Sequence, residues 1–277
     1  ANLNAEKVLA VVGTRTPSAY GKLMTEKLIQ DLSDSGCLVV SGLAYGIDTL
    51  VHRDCVKHGV GTIGVLGHGL NQIYPSSNRL LAGEMIQRGG LLTEFMHRTK
   101  PDRQNFPKRN RIVAGMVDAV VVVESGEKGG SLITAEIANS YNKDVFAYPG
   151  RTTDLGSMGC NHLIRTHRAN LITSGMDFIE FMDYSREHIY EVIIEGFRQL
   201  VDTNGMSHGK IIVKATIQGV KFESNFTIGI ETLSYLTEAI LPYYIGKEEY
   251  EKCVPVKAIL DWFASEVEAL DEGIQKN

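Results

Sequence analysis

The sequence contains few of the residues from which small metal and disulfide sites are built. Its four cysteines, Cys37, Cys55, Cys160 and Cys253, lie far apart and form no CxxC pair, so we expect neither a structural zinc site nor a disulfide framework. No run approaches the roughly 18 uninterrupted apolar residues of a membrane span, and the first seven residues lack the charged-then-apolar layout of a secretory signal. These absences predict a cytoplasmic protein without a membrane partner.

The patterns of a familiar catalytic centre are absent as well. The eight histidines are scattered and form no HExxH motif or ligand cluster, and neither Ser41 nor Ser131 stands in a GxSxG elbow. His52 lies on a predicted helix, where packing or capping is a commoner role than catalysis. We therefore predict no catalytic residue, no metal ion and no cofactor, and hence a protein that is not an enzyme.

Positive charge is also in short supply, since the net charge is −5. From residue 185 to the end, 9 Lys and Arg stand against 15 Asp and Glu, which leaves 19 basic and 18 acidic residues in the first 184. The front part is therefore neutral and the back part acidic. A polyanion partner would have to bind a local basic patch of the front part.

The first 184 residues alternate short apolar runs with amphipathic stretches, the pattern of a parallel sheet with crossover helices. The near-continuous apolar character of the runs indicates strands that are covered on both faces. They occupy residues 7–12, 37–40, 62–66, 91–94, 119–123, 145–148 and 169–173. We predict an α/β fold, an extended Rossmann-like doubly wound and mostly parallel sheet.

After Tyr184 the pattern changes. Helices are predicted at 186–200, 231–241 and 256–270, and a hairpin at 210–217 and 220–228 around Gln218 and Gly219. We therefore predict two domains, a Rossmann-like domain at 1–184 and a small acidic α+β module at 185–277.

Ligands of an open parallel sheet bind where strand ends feed into helix N-termini, and the first such loop holds Gly13 and Arg15. An arginine at a strand end is suited to holding a phosphate with two hydrogen bonds. Pairing with a nearby carboxylate is an equally good interpretation of Arg15. Ser18, just behind, has the position of a helix N-cap.

Two further strand-end loops are rich in glycine. Gly42 lies in the loop 41–48, where Asp48 is more simply explained as a helix cap than as a ligand contact. The loop 124–131 brings Lys128, Gly130 and Ser131 to the start of a helix, which makes it the best anion-binding turn of the chain. Ser131 could also cap that helix.

The most basic segment is 106–111. It combines an aromatic ring with three cations, as single-stranded nucleic acids require for stacking and for phosphate neutralisation. The residues concerned are Phe106, Lys108, Arg109, Asn110 and Arg111, and four more upstream, His97, Arg98, Lys100 and Arg103, could widen the patch. A solvated basic turn at the start of a helix, an inward-packed Phe106 and arginines that tie loops together are the alternatives.

In this order the segments resemble the DNA processing A (DprA/Smf) family. Seven pieces match, at 12–15, 41–48 with His52, 65–70 with Tyr74, Pro75 and Asn78, 106–115, 130–135, 145–150 and 159–164. Together they span roughly residues 8 to 175, and seven pieces in register are far more specific than any one of them.

The resemblance implies a domain that binds single-stranded DNA in a basic pocket at the strand ends, a homodimer, and a role in loading the RecA recombinase during natural transformation. It implies that Arg15 binds phosphate, that Phe106, Lys108, Arg109 and Arg111 lie in a second DNA-contacting loop, and that Gly130 and Ser131 form an anion-binding turn. Many family members end in a winged helix, which the acidic module does not resemble because its hairpin precedes the later helices.

Two other functions compete with this one. Residues 129–136 faintly resemble the PGGxGTxxE motif of the lysine-decarboxylase-like phosphoribohydrolases, in which Glu136 would assist cleavage of an N-glycosidic bond. The motif's proline is missing, and a serine replaces its second glycine. The other alternative is a nucleotide-sensing domain with the acidic module as its effector.

Overall fold

The structure, a computed structural model, describes residues 5–202, 210–217, 220–227, 234 and 236–275. The chain divides into two compact units, Ala1–Met182 and Asp183–Asn277. None of the helices among the described residues is both long and apolar enough to span a bilayer.

The first unit is built on a sheet of seven strands, all of them parallel. The strand order is β4-β3-β2-β1-β5-β6-β7, so the chain runs outward from β1 in one direction and then returns to β1 and runs outward in the other. In register, Leu9 of β1 pairs with Val39 of β2 on one side and with Ala119 of β5 on the other. The strands are β1 (Val8–Val12), β2 (Leu38–Ser41), β3 (Gly61–Val65), β4 (Gly90–Leu92), β5 (Ala119–Val122), β6 (Asp144–Ala147) and β7 (Asn170–Leu171).

Helices cover both faces of this sheet, which confirms the predicted doubly wound Rossmann-like class. Alternate residues of β1 enter opposite cores: Ala10 and Val12 pack on one side, Leu9 and Val11 on the other. The helices are α1 (Ala19–Asp31), α2 (Ile47–His58), α3 (Arg79–Arg88), α4 (Asn105–Gly115), α5 (Gly130–Ser140), α6 (Met158–Arg165) and α7 (Gly175–Asp202). The central strands β1, β2 and β5 are buried along their whole length, so they carry the near-continuous apolar runs that predicted them, whereas the edge strands β4 and β7 are less buried.

The direction of strand order reverses between β1 and β5. In an open α/β sheet this reversal opens a crevice beyond the carboxyl ends of the two strands, because their following loops diverge to opposite faces. The loops that follow β1 and β5 are 13–18 and 123–129. Both had been singled out in the sequence, and the fold places them side by side.

Two element predictions are corrected. Residues 106–111, which the resemblance placed in a loop, lie in the first half of helix α4. The helix predicted at 186–200 begins eleven residues earlier, at Gly175, where Asp177 accepts hydrogen bonds from the backbone and hydroxyl groups of Thr173 and Ser174. Those bonds hold the first turn of α7 and start the helix before the apolar periodicity becomes evident.

The second unit combines a hairpin with helices, so its predicted α+β class is confirmed. Strands β8 (Lys210–Ile217) and β9 (Val220–Thr227) pair in antiparallel fashion, a π-helical turn (Leu236–Ile240) leads into α8 (Leu241–Gly246), and α9 spans Tyr250–Gln275. The predicted turn at Gln218 and Gly219, the end of the second predicted strand at Ile228 and most of the start of the predicted helix 231–241 lie outside the described residues. Phe197, Leu236, Tyr244 and Val256 form part of this unit's apolar core.

Candidate nucleic-acid interface

A cleft of about 740 Å³ opens at the carboxyl edge of the sheet, over the ends of β1 and β5. Nine of the twelve residues that the sequence singled out line it: Gly13, Arg15, Gly42, Phe106, Arg109, Asn110, Lys128, Gly130 and Ser131. They come from four separate loops or helix starts, so the sheet topology is what brings them together. Among the described residues, Asp48 is the one carboxylate in the lining, against four cations that include Arg103.

The loop after β1 is fixed from both sides. Thr14 N donates to Glu124 O at 2.8 Å, and Ile47 N donates to Thr14 O at 3.0 Å. Gly46 has φ +81, and a Cβ there would stand 2.5 Å from Arg15 Cα. Arg15 itself is exposed, and no described residue forms an ion pair or hydrogen bond with its guanidinium. The sequence left two roles open for Arg15, binding a phosphate or pairing with a carboxylate. No carboxylate partner of Arg15 is found among the described residues.

The start of helix α5 forms the opposite wall. Because the first backbone N–H groups of a helix have no partner within it, those of α5 are available to an anion at Gly130 and Ser131. Ser131 Oγ donates to Ser125 Oγ at 3.0 Å, and Ser125 Oγ donates to Gly126 O at 3.1 Å. The buried Ser131 hydroxyl thus fastens the turn rather than capping α5. Lys128 is exposed beside it.

Arg109 has a structural role that its position in a basic run conceals. The side chain is only 5% exposed, and its Nη1 donates to both Gly42 O and Val65 O. Burial lowers the pKa of the Arg109 guanidinium and raises the pKa of the neighbouring Asp48 carboxyl, while the attraction between the two charges opposes both shifts. Arg109 therefore ties the ends of β2 and β3 to α4 under the cleft, as one of the alternatives anticipated.

The prediction that Asp48 caps helix α2 is wrong, because the N-cap position is occupied by Gly46. The Asp48 carboxylate accepts from Ala44 N at 3.2 Å, so it closes the loop between β2 and α2 from within the first turn of that helix. Gly42 is required by the same arrangement, because a Cβ there would lie 2.6 Å from Arg109 Cζ. Gly42 thus makes room for a protein side chain and also lines the cleft.

Phe106 is half-buried and lines the cleft together with a second aromatic residue, Tyr74. Its ring lies 5.9 Å from that of Tyr74, tilted by 31°, and packs against Gly67, where a Cβ would stand 2.8 Å from Phe106 Cδ1. Tyr74 is held in turn by its backbone N–H, which donates to His68 Nε2 at 3.2 Å. Phe106 therefore combines the packing role with a place in the cleft lining.

Three of the predicted site residues lie outside the cleft lining. Ser18 Oγ accepts from Gly21 N at 3.1 Å as the N-cap of α1, which confirms its predicted cap position. Arg111 pairs with Glu94. Lys108 is exposed on α4, since the helical turn points it away from the side on which Phe106 and Arg109 lie.

Tyr74 and Arg103 line the cleft although they were not among the predicted site residues. Tyr74 stood in one of the matched motifs and Arg103 among the upstream cations, so both were visible as residues. Their proximity to Arg15 depends on the loops after β3 and β4, whose course no periodicity in the sequence specifies. Glu136, the acid of the phosphoribohydrolase hypothesis, is exposed on α5 and does not line the cleft.

The comparisons with known proteins agree with this geometry. A family model described as "DNA recombination-mediator protein A" matches residues 1–183. Protein Smf of Synechocystis is 40% identical over 197 residues, 69% of this chain and 49% of its own length, and DNA processing protein DprA of Bacillus subtilis is 41% identical over 178 residues, 64% and 60% of the two chains. The chain thus spans about half to three-fifths of the length of these relatives.

Two solved structures match a similar share of the chain. DprA from Streptococcus pneumoniae has a TM-score of 0.60 at 42% identity, with 64% of this chain and 62% of that chain covered. DprA from Helicobacter pylori, whose structure concerns its single-stranded-DNA-binding mode, has a TM-score of 0.61 at 31% identity, with coverage of 66% and 83%. Since the family model matches well over half of the sequence, this chain belongs to the DNA recombination-mediator protein A family.

Proposed function

We propose that this chain binds single-stranded DNA in the cleft, protects it, and passes it to the RecA recombinase in natural transformation and recombination. The observation that carries the proposal is the convergence of Arg15, Arg103, Lys128 and the start of α5 on one cleft beside an aromatic pair. The binding of single-stranded DNA by the related Helicobacter pylori protein supports it.

A polynucleotide strand fits this lining better than a single anion does. Cations on different walls of the cleft can neutralise successive phosphates, each of which releases counterions. The rings of Phe106 and Tyr74 can stack on a base without selecting its sequence. A free phosphate would need the α5 turn and Lys128 but would leave the aromatic pair and Arg15 without a use.

The role beyond DNA binding rests on the family. Its description as a recombination mediator supports a hand-over of the strand to a recombinase, and the resemblance supports a homodimer and a cytoplasmic location. The second, acidic unit is proposed as a protein-interaction surface, since nothing in its charge suits a second DNA site. Residues 1–184 would hold the whole DNA-binding function.

Nucleotide hydrolysis and nucleotide sensing remain the competing hypotheses. Hydrolysis of an N-glycosidic bond would need a general acid or base within hydrogen-bond reach of the bond. Glu136 is exposed away from the cleft lining, which disfavours that chemistry. We therefore propose a protein without catalytic activity, and the experiment below includes the assay that would reveal one.

The test compares two double variants by the salt dependence of dT-oligomer binding. Arg15→Ala/Lys128→Ala removes two exposed cations of the cleft, and we expect the slope of log K against log salt to flatten by about 1.4, since each lost contact to a single strand is worth about 0.7. Lys27→Ala/Arg168→Ala removes two exposed cations outside the cleft lining and should leave the slope unchanged. Fluorescence anisotropy at several salt concentrations measures both.

The choice of variants keeps folding and binding apart. Arg109 is left intact because its loss would remove the side-chain donor of Gly42 O and Val65 O and the positive charge beside buried Asp48, which would destabilise the fold. Wild-type protein that binds no dT oligomer, or that binds a nucleoside monophosphate and hydrolyses it, would overturn the proposal. Equal slopes for the two double variants would do the same.

A further inference from the structure

Resting on the proposed function, we propose that the bound strand leaves the cleft across a second phosphate-binding surface, the basic loop formed by His97, Arg98 and Lys100. All three side chains are exposed. The cleft and this loop would together hold a longer single strand than the cleft alone. Neither the predicted site residues nor the cleft lining includes the loop.

The basic loop lies beside the cleft because two hydrogen-bonded loops follow neighbouring strands. It belongs to the connection after β4, and the loop that carries Tyr74 follows β3, so both leave the sheet at the cleft's edge. Thr99 O accepts from Gly69 N at 3.0 Å and from Gln72 Nε2 at 2.9 Å. The chain then continues to Arg103, in the cleft lining, so cationic residues follow one another from the loop into the cleft.

The backbone of the basic loop is held in a fixed and uncommon conformation. Arg98 has φ +70, the left-handed region that residues other than glycine seldom adopt, and its N–H donates to Asn71 Oδ1 at 2.7 Å. Gly69 makes the close approach possible, since a Cβ there would stand 2.5 Å from Met96 O. Such an outlier persists only where the surroundings fix it, and here it displays a cation on a rigid support.

The cations of the loop have no ion-pair partner within the part of the chain that the structure describes. No described carboxylate pairs with Arg98 or Lys100. Glu94, the nearest acid before the loop, is taken by Arg111, and Asp102 Oδ1, after the loop, accepts from Gln104 N at 2.8 Å. Two free cations at the exit of a basic cleft create a local positive potential that attracts a polyanion.

Apolar side chains flank these cations. Met96 is 85% exposed and Leu70 is 56% exposed, on the two loops that the hydrogen bonds to Thr99 join. Exposed apolar groups between cations offer contact to sugars and bases while the cations meet the phosphates. In double-stranded DNA the bases are stacked inside the helix and could not contact Met96 and Leu70. The arrangement therefore suits a single strand.

The experiment uses two lengths of dT oligomer on the full chain. Arg98→Gln/Lys100→Gln should leave the affinity for an oligomer of about four nucleotides unchanged, while for about twelve nucleotides the affinity falls and the salt slope flattens by about 1.4. Lys27→Gln/Arg168→Gln, which removes the same net charge elsewhere, should change neither. Circular dichroism checks that each variant is folded.

The outcomes separate this inference from the proposed function. If wild type binds neither oligomer, the proposed function fails. If wild type binds both but the Arg98→Gln/Lys100→Gln variant matches wild type at both lengths, or weakens equally at both, the second surface is overturned while the cleft stands. A loss confined to the longer oligomer supports the inference.

Discussion

His52 lies on α2 and is completely buried. Its Nδ1 is 2.7 Å from Thr62 Oγ1, and that hydroxyl donates to Val39 O at 3.1 Å, so His52 Nδ1–H must be the donor to Thr62. Nε2 has no hydrogen-bond partner among the residues that the structure describes. Burial, with a smaller contribution from the charge of Arg109, lowers the pKa of His52 to about 3.

This pKa predicts how the free energy of unfolding depends on pH. Above pH about 6.5 His52 is neutral in both states, so its contribution to stability is fully present. As the pH falls towards 3, the unfolded state takes up a proton that the folded state excludes, and stability declines by up to about 1.4 kcal/mol per pH unit. Urea unfolding of wild type between about pH 7.5 and 5 measures the decline.

The variant His52→Gln should flatten that decline, whereas His97→Gln, at an exposed histidine, should leave it unchanged. The raised pKa of buried Asp48 acts with the opposite sign, because the folded state then holds a proton that the unfolded state has lost. It is common to all three proteins, so the difference between them isolates His52. Identical slopes in wild type and His52→Gln would contradict the assignment.

Residue types indicated which loops form the cleft, but not which side chain in each loop does what. Arg15 and Arg109 are both arginines in basic or glycine-rich segments, yet one is exposed and the other buried. The difference arises because Arg109 falls on the inward side of α4, over the ends of β2 and β3. That depends on strand order, which the local sequence does not contain. The roles of the twelve site residues in DNA binding stay predictions.

At the scale of the element, the loop after β1 is positioned by the helix that follows β2. Gly46 is the residue before α2 and has φ +81. Replacement by alanine would strain this backbone and drive the new Cβ against the backbone of Thr14 and Arg15. We expect Gly46→Ala to lower the free energy of unfolding by about 2 kcal/mol and, by displacing Arg15, to weaken dT-oligomer binding.

The matched control is Gly83→Ala. Gly83 is exposed within α3, and a Cβ there meets no atom within 4 Å. Alanine should therefore raise the free energy of unfolding by about 0.5–1 kcal/mol and leave binding unchanged. Urea unfolding and anisotropy measure both variants. If Gly46→Ala binds the oligomer as wild type does, the loop after β1 does not position the DNA contact.

The helices and strands of the first unit could be predicted where burial determines which residue types they contain. Strands covered on both faces must be apolar throughout, so β1 and β5 stand out in the sequence. Helix α4 is less evident because Pro107 and the polar run after it are also typical of a turn. Proline is tolerated in the first turn of a helix, where its missing N–H has no intrahelical partner, and α4 begins only two residues before it.

At the scale of the whole molecule, the boundary between the two units nearly coincides with the boundary between the neutral and the acidic parts of the sequence. The residues that line the cleft all lie in the first unit, and the excess of acid lies in the second part of the sequence. A protein with a net charge of −5 repels a polyanion at long range unless a local field of opposite sign dominates nearby. DNA binding should therefore be confined to the first unit.

Hydrogen–deuterium exchange with and without a dT oligomer tests that confinement. The first backbone amides of α5 have no partner within the helix, and Arg15 in the loop after β1 is exposed at the cleft. Occupancy of the cleft should therefore slow exchange at 13–16 and 126–131. Exchange within α8 and α9 should be unaffected and serves as the internal control.

A second control repeats the measurement at a salt concentration that abolishes binding, where the protection of the cleft should vanish. Slower exchange at Arg98 and Thr99 would in addition support the exit across the basic loop. Protection of the second unit as strong as that of the cleft would contradict the confinement. It would mean that the acidic unit also contacts the DNA, although its negative charge repels a polyanion. The experiment thus decides whether the acidic unit is left free for a protein partner while the strand is held.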